Sequence, residues 1–164
     1  MPTPHVESLI DRLTSAGVEF VIIGGAAAMI QGAPVLTLDL DIVHRRTPEN
    51  VARLRGVLVD VHARLRADRR NIAPTEAMLL GRGHVLLDTD EGPLDVLCEI
   101  GDGQDYEWLA TRQDHVVRGA SVVRVVDLPT LIALKSQAGR PKDRVMLPVL
   151  LATLDERNRD PGTR

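Results

Sequence analysis

Hydrophobic residues along the chain fall into short blocks with two different periods. Val6, Leu9, Ile10 and Leu13 recur at helical spacing over residues 5–16, and Gly17 ends the pattern. The next block, Val18-Glu19-Phe20-Val21-Ile22-Ile23, is rich in β-branched residues and closes on Gly24-Gly25, which predicts a strand. A short alanine-rich helix is expected from Ala26 to Gln31, closed by Gly32 and Pro34. Thr37 to Val43 then alternates strictly and predicts a second strand. Thr47-Pro48-Glu49 has the chemistry of a helix start: a capping hydroxyl, a proline in the first turn, and an acid near the positive end of the dipole. Val51, Leu54, Leu58, Val61 and Leu65 supply the apolar stripe of that helix, about five turns long.

Farther along, residues 84–87 and 93–100 predict two strands joined by the turn Asp88-Thr89-Asp90-Glu91-Gly92. Ser121 to Val126 predicts another strand, leading into a helix that Asp127 caps and Gly139 ends. A last helix is expected over residues 143–154, followed by a polar tail, Asp155 to Arg164, expected to be loose. Strands and helices are interleaved, so the expected class is α/β (α+β), a small sheet covered by helices. Several strands lie too close in sequence for a crossover and should pair as hairpins, which makes the sheet mixed. The expected division is one domain over 1–154 and a tail over 155–164, without repeats or low-complexity tracts.

A chain of 164 residues is long enough for one domain that buries about two-thirds of its unfolded surface. With one Phe, one Tyr and one Trp, its core must come from Val, Leu, Ile and Ala. The net charge of −3 argues against a surface given over entirely to nucleic acid, while leaving room for a local basic patch. A single cysteine, Cys98, sits among Val96, Leu97 and Ile100; it reads as core and cannot form an internal disulfide. The opening stretch MPTPHVESLIDRL lacks the pattern of a signal peptide, and no apolar run approaches the ~20 residues that cross a bilayer. The expected location is the cytoplasm, with no membrane partner.

Candidate chemistry begins at Asp39-Leu40-Asp41. On a strand, Asp39 and Asp41 share one face, and Leu38, Leu40 and Ile42 share the other, against the core. Such a pair on an exposed strand is often only solvated surface. Two carboxylates held side by side nevertheless repel, and Mg²⁺, which takes oxygen ligands together with substrate phosphates, would offset them. Gly24-Gly25 would let a backbone approach a ligand, and free N–H groups at the start of the following helix suit phosphate, although glycines at such turns often serve packing alone. Asp95 is a lone acid in the apolar run Gly92-Pro93-Leu94-Asp95-Val96-Leu97. It needs a partner, either a metal shared with Asp39 and Asp41 or a basic side chain. Three carboxylates holding two cations is what phosphoryl or nucleotidyl transfer requires.

The order Val21-Ile22-Ile23-Gly24-Gly25, short helix, Asp39-Leu40-Asp41, with a third acid on a later strand, resembles the signature of the polymerase-beta-type nucleotidyltransferase superfamily. The segment Leu131-Ile132-Ala133-Leu134-Lys135 through Gly139-Arg140-Pro141-Lys142-Asp143 resembles one carried by small bacterial AbiEii-toxin-type proteins. The resemblance runs from about residue 17 to 154. It implies that Asp39, Asp41 and Asp95 are catalytic and bind two Mg²⁺ ions, with Mn²⁺ as a substitute. It also implies that Gly24, Gly25, Thr37, Lys135 and Lys142 bind the nucleoside triphosphate. The implied activity is transfer of a nucleoside monophosphate to a hydroxyl, by a toxin of a toxin–antitoxin pair acting on tRNA 3′ ends. Its rivals are an antitoxin of the minimal-nucleotidyltransferase type that adenylylates a partner protein, an aminoglycoside-type small-molecule transferase, and a non-catalytic nucleotide-binding member. Two positions depart from the pattern: Gln31 stands where relatives often have histidine, and Val35 where they often have arginine.

Arg53, Arg55, Arg64, Arg66, Arg69 and Arg70 could flank an RNA, but with Asp60 and Asp68 among them and no aromatic residues they read better as a solvated face. The five histidines have no metal-ligand spacing, and His44 is expected at a loop edge or lining the site. Asp102, Asp105 and Glu107 are expected in a solvated loop held down by Tyr106 and Trp108.

Overall fold

The first helix, α1 (Pro4–Ser15), buries Val6, Leu9, Ile10 and Leu13 completely or nearly so, as the spacing predicts. The computed structural model describes residues 4–160. After α1 come β1 (Phe20–Ile23), α2 (Gly24–Ile30), β2 (Leu40–His44) and α3 (Pro48–Asp60). Next are β3 (Arg64–Leu65), α4 (Glu76–Leu80), β4 (Val85–Thr89) and β5 (Gly92–Leu97). A small hairpin, β6 (Glu99–Ile100) with β7 (Gln104–Asp105), leads into α5 (Tyr106–Leu109). The chain ends with β8 (Gln113–Arg118), β9 (Ser121–Val126), α6 (Leu128–Ala138) and α7 (Pro141–Arg159).

Seven strands form one sheet in the order β3-β4-β5-β2-β1-β9-β8. Its hairpins β4/β5 and β8/β9 are antiparallel, as are β1/β2 and β3/β4, while β2/β5 and β1/β9 are parallel. The mixed sheet with helical cover is the class the sequence predicts. Helix α3 packs on α1 and α4, and His44 at the end of β2 meets the Leu79 carbonyl of α4. These helices therefore cover the face that carries Leu40, Ile42 and His44. Helix α2 packs on β1 and β2, and α6 packs on α2 and α7. Successive side chains alternate across a strand, so Asp41 and Asp95 project from the face opposite Leu40 and Leu94.

The caps explain several boundaries. Thr47 accepts from the Asn50 N–H at the start of α3, and Asp127 accepts from the Thr130 N–H at the start of α6. Gly139, with φ +60°, ends α6 in the left-handed region.

Several expected elements need correction. β2 begins at Leu40, so Thr37–Asp39 is irregular and Leu38 is 64% exposed rather than packed in the core. α3 stops at Asp60 because His62 turns at φ +49°, and Leu65 lies in β3 instead of prolonging the helical stripe. α2 starts at Gly24, so the two glycines form its first turn. The segment expected as a solvated loop contains α5, whose start Asp105 caps through the Trp108 N–H. The expected tail is wrong at its beginning: α7 continues to Arg159, and Arg157 bonds Gln31 and Asp114 across the fold. The end of the expected tail, residues 161–164, lies outside the described residues.

Candidate active site

The end of β1 meets the beginning of β2 in antiparallel register, with Ile23 opposite Asp41. Gly24 follows at φ +66°, and a Cβ there would overlap Oδ2 of Asp41. Any other residue would have to move that carboxylate. Gly25 is also confined, since its Cβ would come within 3.0 Å of Thr37 Cβ. Thr37 Oγ1 lies 3.3 Å from both the N–H and the carbonyl of Asp39, which fixes the irregular approach to β2. No side chain caps α2, so its first backbone N–H groups beside Asp41 keep their donors free of side-chain acceptors.

Parallel pairing of β2 with β5 sets Asp41 beside Asp95 on one face. Among the described residues, the carboxylates of Asp39 and Asp41 have neither a hydrogen bond nor an ion pair. Burial first, then the charges of Asp95 and Asp39, push the Asp41 carboxyl up to about 6, with Lys142 and Lys135 opposing the rise. Such a group is costly to ionise and is relieved by a cation. Asp95 Oδ1 is buried without a hydrogen bond. A guanidinium nitrogen of Arg66 nevertheless lies 2.7 Å from it, at ion-pair distance. The basic partner that a lone acid requires is therefore present. Arg66, expected on a solvated face, is thus part of the site.

Among the described residues, no three His, Cys, Asp or Glu side chains are already gathered so that they could hold a metal. Asp39, Asp41 and Asp95 are neighbours rather than a finished cage. The donor set still fits Mg²⁺, which often takes one or two carboxylates and completes its shell with water and phosphate oxygens. The Asp95 oxygen that lacks a hydrogen bond is consistent with that fit, and Gly24 leaves the Asp41 carboxylate its place in the site.

The predicted lysines separate. Lys135 is 9% exposed, and its Nζ lies 3.1 Å from Asp143, which is itself fully buried. Arg140 donates to the same carboxylate at 2.7 Å. Burial opposes ionisation of Asp143, yet the hydrogen bonds from Arg140 and Lys135 hold its carboxyl below the usual range. Lys135 is thus committed to joining α6 to α7. Lys142 is exposed and close enough for its charge to act on Asp41. His44 is buried beneath α4 rather than lining the site, and burial lowers its pKa. Gln31 donates to Asp114 and to the Val126 carbonyl and accepts from Arg157, a tie between α2, the β8/β9 hairpin and α7. Val35 packs against the core. Clefts of about 590 and 800 Å³ lie on the Asp95 side, over Arg66, Arg69, Arg70 and Leu86 and over Arg64 and Asp88.

No protein-family model matches the sequence, and no curated protein matches it. The fold is similar to the crystal structure of a Thermotoga maritima protein provisionally named a nucleotidyltransferase, with a TM-score of 0.58 and 19% identity over 93% of this chain and 96% of that one. Two Helicobacter pylori structures, one with the same provisional name, overlap less, with TM-scores of 0.41 and 15% identity. They match 80% and 82% of this chain but only 54% and 57% of their own length. The chain therefore has the mixed α/β fold of the Thermotoga protein, and in this chain Asp41 lies where β2 pairs with both β1 and β5.

Proposed function

We propose that the chain is a nucleotidyltransferase that moves a nucleoside monophosphate from a nucleoside triphosphate to a hydroxyl. The observation that carries this reading is Asp41: a part-buried carboxylate pushed up to about 6 between two further acids, with no bond to relieve it and a glycine that leaves it room. Asp39 and Asp41 would hold Mg²⁺, with Asp95 completing a site for two ions. Bound there, the metal would neutralise the triphosphate and lower the pKa of the attacking hydroxyl. The chain itself contributes the backbone of Gly24 and Gly25, placed against Asp41 and free of side-chain caps, as the seat for the phosphates. Thr37 fixes the approach of Asp39 to that seat. Lys142 is the better candidate for direct phosphate contact, since Lys135 already has Asp143. In the transfer, the hydroxyl gives up its proton to solvent and its oxygen bonds to the α-phosphorus as the α–β phosphoanhydride bond breaks, and pyrophosphate leaves.

The resemblance of the segment from Leu131 to Asp143 to AbiEii-type proteins supports a finer reading, a toxin that modifies tRNA 3′ ends. Label transfer tests both levels. The purified chain is incubated with Mg²⁺, each α-labelled triphosphate in turn, and either total tRNA or cell extract, with Asp39→Asn as control. Label in tRNA that disappears in the variant supports the RNA acceptor. Label in a protein band instead replaces the toxin by an adenylylating antitoxin. No label with any acceptor removes the transferase reading.

A further inference from the structure

Arg66 ends a row of residues that crosses the open face of the sheet. Register places Asp41 beside Asp95 and Asp95 beside Leu86, and the Arg66 N–H bonds the Leu86 carbonyl at 2.8 Å. Adjacent strands lie about 4.8 Å apart, so Arg66 must reach back across β4 to meet Asp95. Its Nη2 does so, stopping 2.7 Å from Oδ1. Yet the directed hydrogen bonds of that guanidinium go elsewhere, from Nε to Asp88 at 3.1 Å and from Nη2 to the Leu87 carbonyl at 2.9 Å. Asp95 Oδ1 thus receives charge without a hydrogen bond. The flanking backbone is strained on both sides, since His62, Ala67 and Asn71 hold φ values of +49°, +62° and +55°. A strained segment therefore delivers one guanidinium to Asp95, the one of the three site acids with an ion-pair partner among the described residues.

We infer that Arg66 competes with divalent cations for Asp95, keeping this third carboxylate neutralised until a metal draws it away. The inference rests on the metal-site reading above. Among the described residues Asp39 and Asp41 have no ion-pair partner, so a first cation meets only the more distant charges of Lys142 and Lys135 there, while use of Asp95 requires the guanidinium to yield Oδ1. The anchors on Asp88 and Leu87 both lie on β4, so Arg66 can release Asp95 without leaving the sheet.

The test is a Mn²⁺ titration of the full chain without nucleotide, reading free Mn²⁺ by paramagnetic resonance. It compares the parent with Arg66→Gln, Arg66→Lys and Arg69→Gln, each also placed in an Asp95→Asn background, with folding checked by circular dichroism. Arg66→Gln should bind Mn²⁺ about three- to tenfold more tightly than the parent, the scale of one partly exposed ion pair. Arg66→Lys, which keeps the charge but loses the reach and the fork, should fall between them. Arg69→Gln, an exposed change on the same segment, should stay within about twofold of the parent. With Asp95→Asn the gain from Arg66→Gln should vanish, because the effect is transmitted through that carboxylate. Unchanged or weaker binding in Arg66→Gln, or an equal gain with Asp95→Asn, overturns the inference. If Arg66→Gln does not fold, Arg66→Lys carries the same comparison. Absence of Mn²⁺ binding in the parent and every variant instead brings down the metal site itself, and the competition with it.

Discussion

Replacing Asp41 by asparagine should make the metal-free protein more stable at neutral pH. The carboxamide has nearly the same shape, so it keeps the packing against Gly24 while removing a charge that burial, Asp95 and Asp39 all disfavour. Those three causes push the folded carboxyl up to about 6 from an ordinary value of 3.8. A shift of that size corresponds to about 3 kcal/mol at most, and relaxation around the site should leave an effect of about 1–3 kcal/mol. The sign follows from proton uptake. Between pH 3.8 and about 6 the folded state binds a proton that the unfolded state has released, so the parent loses stability as pH rises through this window. The penalty is complete above about pH 6 and absent below pH 3.8, where both states are protonated. Urea unfolding in EDTA at pH 7.5 and again near pH 4 measures it. Asp41→Asn should raise the midpoint at the higher pH and lose that advantage at the lower. Equal or lower stability than the parent at pH 7.5 would refute the electrostatic account of the site.

Other substitutions separate site from scaffold. Gly24→Ala should lose at least ~1–2 kcal/mol in thermal unfolding from its left-handed backbone alone, and it should lose nucleotide binding as the added Cβ displaces Asp41. Asp143→Ala should cost about 3–5 kcal/mol, since it strands a buried Lys135; Lys135→Met, which leaves Asp143 with Arg140, should cost less. In nucleotide titrations Lys142→Ala should weaken binding more than Lys135→Met does. Ending the chain after Leu154 should lower stability by about 1–3 kcal/mol, because it removes Arg157 from buried Gln31.

The elements legible in the sequence were those whose periodicity and caps agree. α1 shows four core residues at helical spacing, β9 is a β-branched run, and α6 lies between the Asp127 cap and Gly139. β8 carries no strand signal in the sequence because Gln113–Arg118 is a largely polar strand at the edge of the sheet, held by its partner β9. Leu65 joined the α3 stripe because five apolar positions kept nearly helical spacing, and nothing local announces the left-handed turn at His62. The tail looked loose because Asp155–Arg159 is charged, whereas Arg157 is fixed by groups far away in sequence. In the candidate site, the β1/β2 and β2/β5 pairings bring Gly24, Asp41 and Asp95 together, while Asp39 lies in the irregular approach to β2 rather than on the strand that its alternation predicts. Arg66 could not be singled out, because its tie to Asp95 depends on the β3-β4-β5 register, and the run of arginines around it has the composition of an ordinary solvated face.

The central claim, that the aspartates bind a triphosphate through divalent metal, is tested most directly by calorimetry with non-hydrolysable α,β-methylene nucleoside triphosphates. Each is titrated into the parent and into Asp41→Asn, once with Mg²⁺ and once with EDTA. The parent should bind at least one of the nucleotides with Mg²⁺ only, and Asp41→Asn should not bind it. Equal binding in EDTA, or unchanged binding by Asp41→Asn, would contradict the account and leave the three acids without a metal to hold.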